Sequence, residues 1–326
     1  MTTFIIRRLL FSIPVLIAAS MLIFFSISIA GDPLGELRTR PNIDEGTIER
    51  IAERKHLNDP IVTQYAYWVR DVFTNNFGTT TLSNQPIWPD LKRAMWNTMQ
   101  LIVAAEVLAI VVAVAVGILS ARKQYSLFDY AATTLSFLGF SMPVFWLALI
   151  LQVLAVNFLE ATGTRIFYTA GLSSPGARAA GFFPFVLNRL QHLALPIITI
   201  AAISMATYSR YTRASMLEVI NSDYVRTARA KGLDEKKVIR KHAFRNALIP
   251  LTTVITLNFG VAIGGAVVTE TVFALNGMGA YYIRALSSRD VYPVMAWLMI
   301  VAVLVVVFNL LADIIYGYLD PRIRYD

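Results

Sequence analysis

The sequence predicts an all-α integral membrane protein, on three observations. Hydrophobic residues make up 56% of the 326 residues and charged residues only 15%, with mean hydropathy +0.57. A soluble domain carries about 25% charged residues, because its surface must face water. Six long intervals almost free of Asp, Glu, Lys and Arg recur along the chain, each long enough for the about 20 apolar residues that cross a bilayer core as a helix. The Lys and Arg residues are distributed unevenly among the joining segments, as orientation in a membrane demands. Cysteine is absent, which removes disulfides, thiolate metal sites and cysteine nucleophiles. His56, His192 and His242 lie far apart and form no HExxH motif.

The first interval, 9–30, follows Arg7 and Arg8. It exceeds the apolar core of about 7–15 residues of a signal peptide, although the small residues at 26–30 leave cleavage open. The second is 99–121, interrupted by Glu106; the third lies between Asp129 and Glu160. The fourth lies between Arg189 and Arg210, with an apolar body at 193–208. The fifth lies between Arg245 and Glu270 and the sixth between Asp290 and Asp313. Backbone groups in hydrocarbon must pair within their own segment, so the spans are helices.

Placing the N-terminus in the cytoplasm puts sixteen of the 29 bases in inner segments. Ten fall in 209–247 against four acids, whereas segment 31–97 carries eight bases against nine acids. Both termini are therefore expected inside, with 31–97, 160–192 and 274–290 outside. The net charge of +8 and pI near 9.7 read as an orientation signal rather than as nucleic-acid binding.

Segment 31–97 is patterned rather than slack. Residues 44–55 (DEGTIERIAERK) place acids early and bases late, as a helix dipole favours. In 61–73 the residues Ile61, Tyr65, Trp68, Val69 and Val72 stand at helical spacing. A small helical cap on the outer face is expected, either packed on the helix ends or exposing Tyr65, Tyr67 and Trp68 to a partner. Segment 160–192 is rich in Gly, Ser and Pro and reads as an irregular outer crossing.

Segment 209–247 holds two short basic helices about a glycine. Asn221-Ser222-Asp223 caps the first, which runs through 224–231 (YVRTARAK) and stops at Gly232. Asp234 caps the second, expected over 236–245. The pair resembles a helix-turn-helix but has no core of its own, so Val225, Ala228 and Leu233 need cover from neighbouring spans or another subunit.

Nucleotide motifs fail on inspection. Residues 176–181 (GARAAG) begin like a phosphate loop, but Phe182 and Phe183 stand where Lys and Ser or Thr are needed. Gly277-Met278-Gly279 lacks a third glycine and a preceding strand. No serine–histidine or paired-carboxylate set stands within the spans, so this chain reads as no enzyme, with no cofactor or metal of its own. Gly260 and Gly264 form a GxxxG in the fifth interval, suited to close helix packing within the chain or with another subunit. Glu106 lies about 10 Å inside the second interval, so it faces protein or water, as a structural hydrogen-bonding group or a pathway residue.

Three blocks carry a family resemblance: 57–79 (LNDPIVTQYAYWVRDVFTNNFGT), 209–250 with its long basic loop, and the ending Asp320-Pro321-Arg322-Ile323-Arg324. The chain resembles the B-type permease subunit of dipeptide and oligopeptide ABC importers over nearly its whole length. Aligned on Gly232, Arg226-Thr227-Ala228 stand at the EAA positions of the family's ATPase-docking loop. Arg289-Asp290-Val291-Tyr292-Pro293 departs from the family pattern by the inserted valine.

The resemblance implies a type I importer permease fold. Its parts would be an N-terminal span (1–30), an outer helical domain (31–97), a five-helix transport core (98–318) and a cytoplasmic tail (319–326). It implies that Tyr224, Arg226, Thr227, Ala228, Gly232, Leu233 and Asp234, in loop 209–247, couple to ATPase subunits. A homologous second permease, two ATP-binding subunits carrying ATP and Mg, an outer peptide-binding protein, the peptide and membrane lipid are the implied partners. A bacterial cytoplasmic (inner) membrane is the implied location. Nickel chelates or glutathione-like peptides are the alternative cargo. A membrane-embedded enzyme or a scaffold without transport is the alternative class. The residues that would bind substrate are not assigned.

Overall fold

A computed structural model describes residues 2–30, 32–39, 43–74, 77–81, 83–263 and 266–319. Gly264 and the block 320–324 lie outside the described residues. Helix α1 (Thr2–Ala30) is followed by three outer helices, α2 (Gly35–Thr39), α3 (Glu45–Arg54) and α4 (Ile61–Thr74). Next come α5 (Ile87–Arg122), α6 (Leu127–Ser141), α7 (Val144–Thr162) and α8 (Phe182–Ile220). Two short helices, α9 (Asp223–Ala230) and α10 (Glu235–Lys237), lead into α11 (Phe244–Ile263). The chain closes with α12 (Val267–Val272), α13 (Met278–Ser287) and α14 (Val291–Leu319). Segments in α1, α5, α7, α8 and α14 are long and apolar enough to cross a membrane, and α11 occupies the fifth expected interval.

The third expected span is two helices rather than one. Met142 is extended (φ −82°, ψ 127°) and separates α6 from α7. The ring of Pro143 disfavours helical backbone at the residue before it. The second helix of the basic loop also differs from expectation. Instead of ending near Arg245, α10 passes through wider π turns at Val238–Ala243 directly into α11.

Two long helices form the centre. At about 1.5 Å per residue, α5 with 36 residues and α8 with 39 both exceed a bilayer core. They meet along a stripe of small residues, Ala105, Ala109, Ala113 and Gly117, one per turn of α5. At Gly117 a Cβ would stand 2.5 Å from Thr212 Cβ, so only glycine permits this approach. Helix α1 lies along α14: Arg8 pairs with Asp313 at 3.0 Å, and Phe24 packs against Met295.

The outer helices turn their aromatic side inward. Trp68 is 4% exposed in a cluster with Phe24 and Met295, and the Tyr65 hydroxyl lies 2.8 Å from Ser20 Oγ. Tyr67 stacks on His56. Trp68 is thus a core residue, not an exposed one. A second small core joins Leu34, Leu37, Ile51 and Ala52. The Asp290 carboxylate accepts from both the amide and the hydroxyl of Thr81, each at 2.8 Å. Lys55 Nζ donates to the Thr79 carbonyl at 2.6 Å and sits over the Tyr292 ring.

Candidate coupling site

The basic loop is built on its own apolar underside. Val225 and Ala228 are three apart on α9 and therefore share a face. They pack with Ala121 from the end of α5, Met216 from α8, Val238, Ile239 and Ala243 from the π turns, and Ala247 from α11. Leu233 is partly buried on the same cluster. The cover that the sequence requires comes from this chain's own helix ends.

Polar contacts then fix the loop. Ser222 takes the N-cap position of α9, but its hydroxyl donates to the Val219 carbonyl instead of accepting from the helix. Arg229 grips Glu235 with Nε–Oε2 at 3.1 Å and Nη2–Oε1 at 2.9 Å, bridging the two arms of the turn. That pairing holds the Glu235 carboxyl below the usual carboxylate range. Asp234 caps α10 as expected, accepting from the Lys236 amide at 3.2 Å. Gly232 lies between the arms at φ +74°, in the left-handed region expected for it.

These contacts divide the seven loop residues named from sequence. Ala228 and Leu233 face inward and hold the loop to the spans. Tyr224, Arg226, Thr227, Gly232 and Asp234 are open to solvent. The Tyr224 hydroxyl accepts from Asn246 Nδ2 at 3.0 Å, tying the outward face to α11. The outward face carries hydroxyl, guanidinium and carboxylate groups.

Glu106 is 2% exposed and accepts from Ser204 Oγ at 2.9 Å and Tyr208 Oη at 2.8 Å, both from α8. It is thus a hydrogen-bonded link between the two central helices. Gly260 falls within α11; a close helix approach among the described residues is the small-residue stripe of α5 against α8. That stripe was readable as small residues at every fourth position of the second interval.

Sequence reasoning missed Glu270, which marked only an interval boundary. Its side chain is fully buried and caps α13, accepting from the amides of Gly279 at 2.8 Å and Ala280 at 3.1 Å. Thr98 of α5 donates to Glu270 and accepts from the Met278 amide at 2.7 Å. A Cβ on Gly277 would stand 2.2 Å from Glu270 Oε1, and one on Gly279 2.5 Å from Val267 Cα. The Gly277-Met278-Gly279 run is therefore the approach of a helix N-terminus to a buried carboxylate.

Long apolar helices around a small-residue centre, with a basic loop on one end, define a helical membrane protein. The comparisons carry this further. The pattern of the "Binding-protein-dependent transport system inner membrane component" family matches residues 113–325, and its N-terminal companion matches 1–104. The chain belongs to this family. It is 39% identical to the oligopeptide transport system permease protein AppB of Bacillus subtilis (strain 168), covering 100% of both chains. It is also 35% identical to the dipeptide transport system permease protein DppB of Escherichia coli (strain K12), over 100% of this chain and 99% of that one. Two solved structures share the fold, each with TM-score 0.51. One is an amino acid ABC transporter, 16% identical over 71% of this chain and 94% of that chain. The other is the inward-facing MetNI methionine ABC transporter, 19% identical over 71% and 96%.

Proposed function

We propose that this chain is a transmembrane permease subunit of an ATP-driven peptide importer in a bacterial cytoplasmic membrane. Full-length likeness to oligopeptide and dipeptide permeases is the observation that carries the reading. In it, six spans with both termini inside form the translocation route together with a homologous second permease. An outer binding protein delivers the peptide, and two ATPase subunits on the inner side hold ATP and Mg.

The outward face of α9 with Tyr224, Arg226 and Thr227, and the turn after it with Gly232 and Asp234, seat in the ATPase subunit. Ala228, Leu233 and Val225 beneath it bind the loop to the inner ends of α5, α8 and α11. Because that cluster joins four elements, a displacement of α9 moves the helix ends as one body, shifting the spans between two packings. The experiment is ATP-dependent uptake of a labelled peptide by proteoliposomes holding all subunits and the binding protein. Uptake of a nickel chelate with no uptake of di- or oligopeptides would replace the cargo; ATP hydrolysis without any uptake would remove the importer reading.

A further inference from the structure

Some arginines in the long helices have carboxylate partners. Arg213 forks onto Asp129 at 2.6 and 2.8 Å, and Arg8 pairs with Asp313 at 3.0 Å. Arg189 differs. It lies on α8 one turn before the buried Leu193, and it is half-buried. Its Nε donates to Gln100 Oε1 and its Nη2 to Asn97 Oδ1, each at 3.0 Å. Both acceptors are neutral amide oxygens. Asn97 is held in turn by donating to the Asn276 carbonyl at 2.8 Å, which orients its oxygen toward Arg189. Among the described residues no carboxylate is within salt-bridge distance of Arg189.

A guanidinium has five N–H donors, and two are used here by the protein. A cation at the margin of an apolar span is costly to keep and is normally paired or functional. Beside it, α5 leaves Trp96, Val103, Val107 and Val111 exposed in line with Gln100, a helix face open along its length.

We propose that Arg189 recognises the C-terminal carboxylate of the peptide as it enters the translocation route. The inference rests on the peptide-importer reading above. Asn97 and Gln100 hold the fork in place without neutralising it, so a bidentate carboxylate supplies the missing charge. Neutral holders also allow release, because no fixed anion competes for the guanidinium when the peptide leaves. The phosphate of a lipid headgroup is the rival occupant.

The test uses the complete complex in phosphatidylcholine proteoliposomes, with saturating binding protein presenting a labelled tripeptide as free acid or C-terminal amide. Arg189→Gln is expected to lower uptake of the acid at least tenfold and leave uptake of the amide unchanged, while Arg189→Lys retains part of the preference. Equal loss for both peptides, or unchanged acid uptake, overturns the assignment. Should the Gln variant not assemble, a photoreactive group on either end of the peptide decides it in the wild-type complex. Cross-linking beside Arg189 from the C-terminal end supports the proposal; cross-linking from the N-terminal end alone, or from neither, refutes it. A wild-type complex that moves neither peptide sinks the importer reading itself. Transport of both peptides with no change in their ratio on substitution removes only the role of Arg189.

Discussion

At Gly232 the chain turns with φ +74°, and no heavy atom lies within 4 Å of where a Cβ would stand. A side chain there meets backbone strain of about 1 kcal/mol but no collision within this chain. A larger effect must come from a docked partner. Gly232→Val is expected to leave folding and insertion intact, while peptide uptake and the ATP hydrolysis stimulated by loaded binding protein fall together. Gly232→Asn tolerates the left-handed backbone, so it separates side-chain size from strain. Normal uptake by a well-assembled Val complex would reduce Gly232 to a helix terminator.

Lys55 allows a pH test at the same scale. Burial brings its amine down to about 8 from 10.5, against the attraction of Asp290. The folded state therefore holds fewer protons than the unfolded one between those two values. Stability of the outer domain should rise with pH from about 8 to 10.5 and be flat below 8. Thermal unfolding of the wild type against Lys55→Gln checks this: the variant should lose the rise.

Among helices, proline and capping signals decide where each stops, and packing decides what each does. Pro143 broke a span that apolarity alone had drawn as continuous, since hydropathy does not register the restriction on Met142. The join of α10 to α11 went unseen for the opposite reason: no glycine or proline interrupts 235–249, and charge alone does not end a helix. The outer domain docks through Thr81 and Asp290, residues 209 apart in the chain, which no periodicity connects. Removing that carboxylate should cost about 1.5–3 kcal/mol, as loss of a hydrogen bond to a charged group does. In Asp290→Ala the amide of Thr81 should exchange with deuterium at least tenfold faster, with amides in the centre of α5 unchanged. Equal protection in both proteins would mean that the outer domain is held elsewhere.

For the whole molecule, orientation follows from which end of the bundle carries the charged loops. The pair of Arg8 with Asp313 puts the start of α1 and the end of α14 at one end of the bundle. The Lys and Arg asymmetry predicts that this end faces the cytoplasm. The native chain has no cysteine, so single introduced ones report cleanly. Ser174→Cys should react with an impermeant thiol reagent in intact cells, and Asn221→Cys only after the membrane is opened. Labelling of Asn221→Cys from outside would invert the assignment.

The class of protein was legible from the residues alone. Composition, apolar intervals and basic loops are properties of solvent partition, and each is summed over neighbouring residues. The Gly232 turn and the Asp234 cap were legible too, because both are local backbone events. Which surfaces remain free depended on packing through space. Trp68 became a packing residue because Phe24 and Met295, far off in the chain, cover it, and the cover that Ala228 and Leu233 need came from this chain's own helix ends. Glu106 and Glu270 found their donors on other elements. Arg189 was left with neutral partners alone. Whether a polar group in a membrane protein is a strut or an unpaired charge depends on donors and acceptors contributed through space, and a linear pattern does not hold that information.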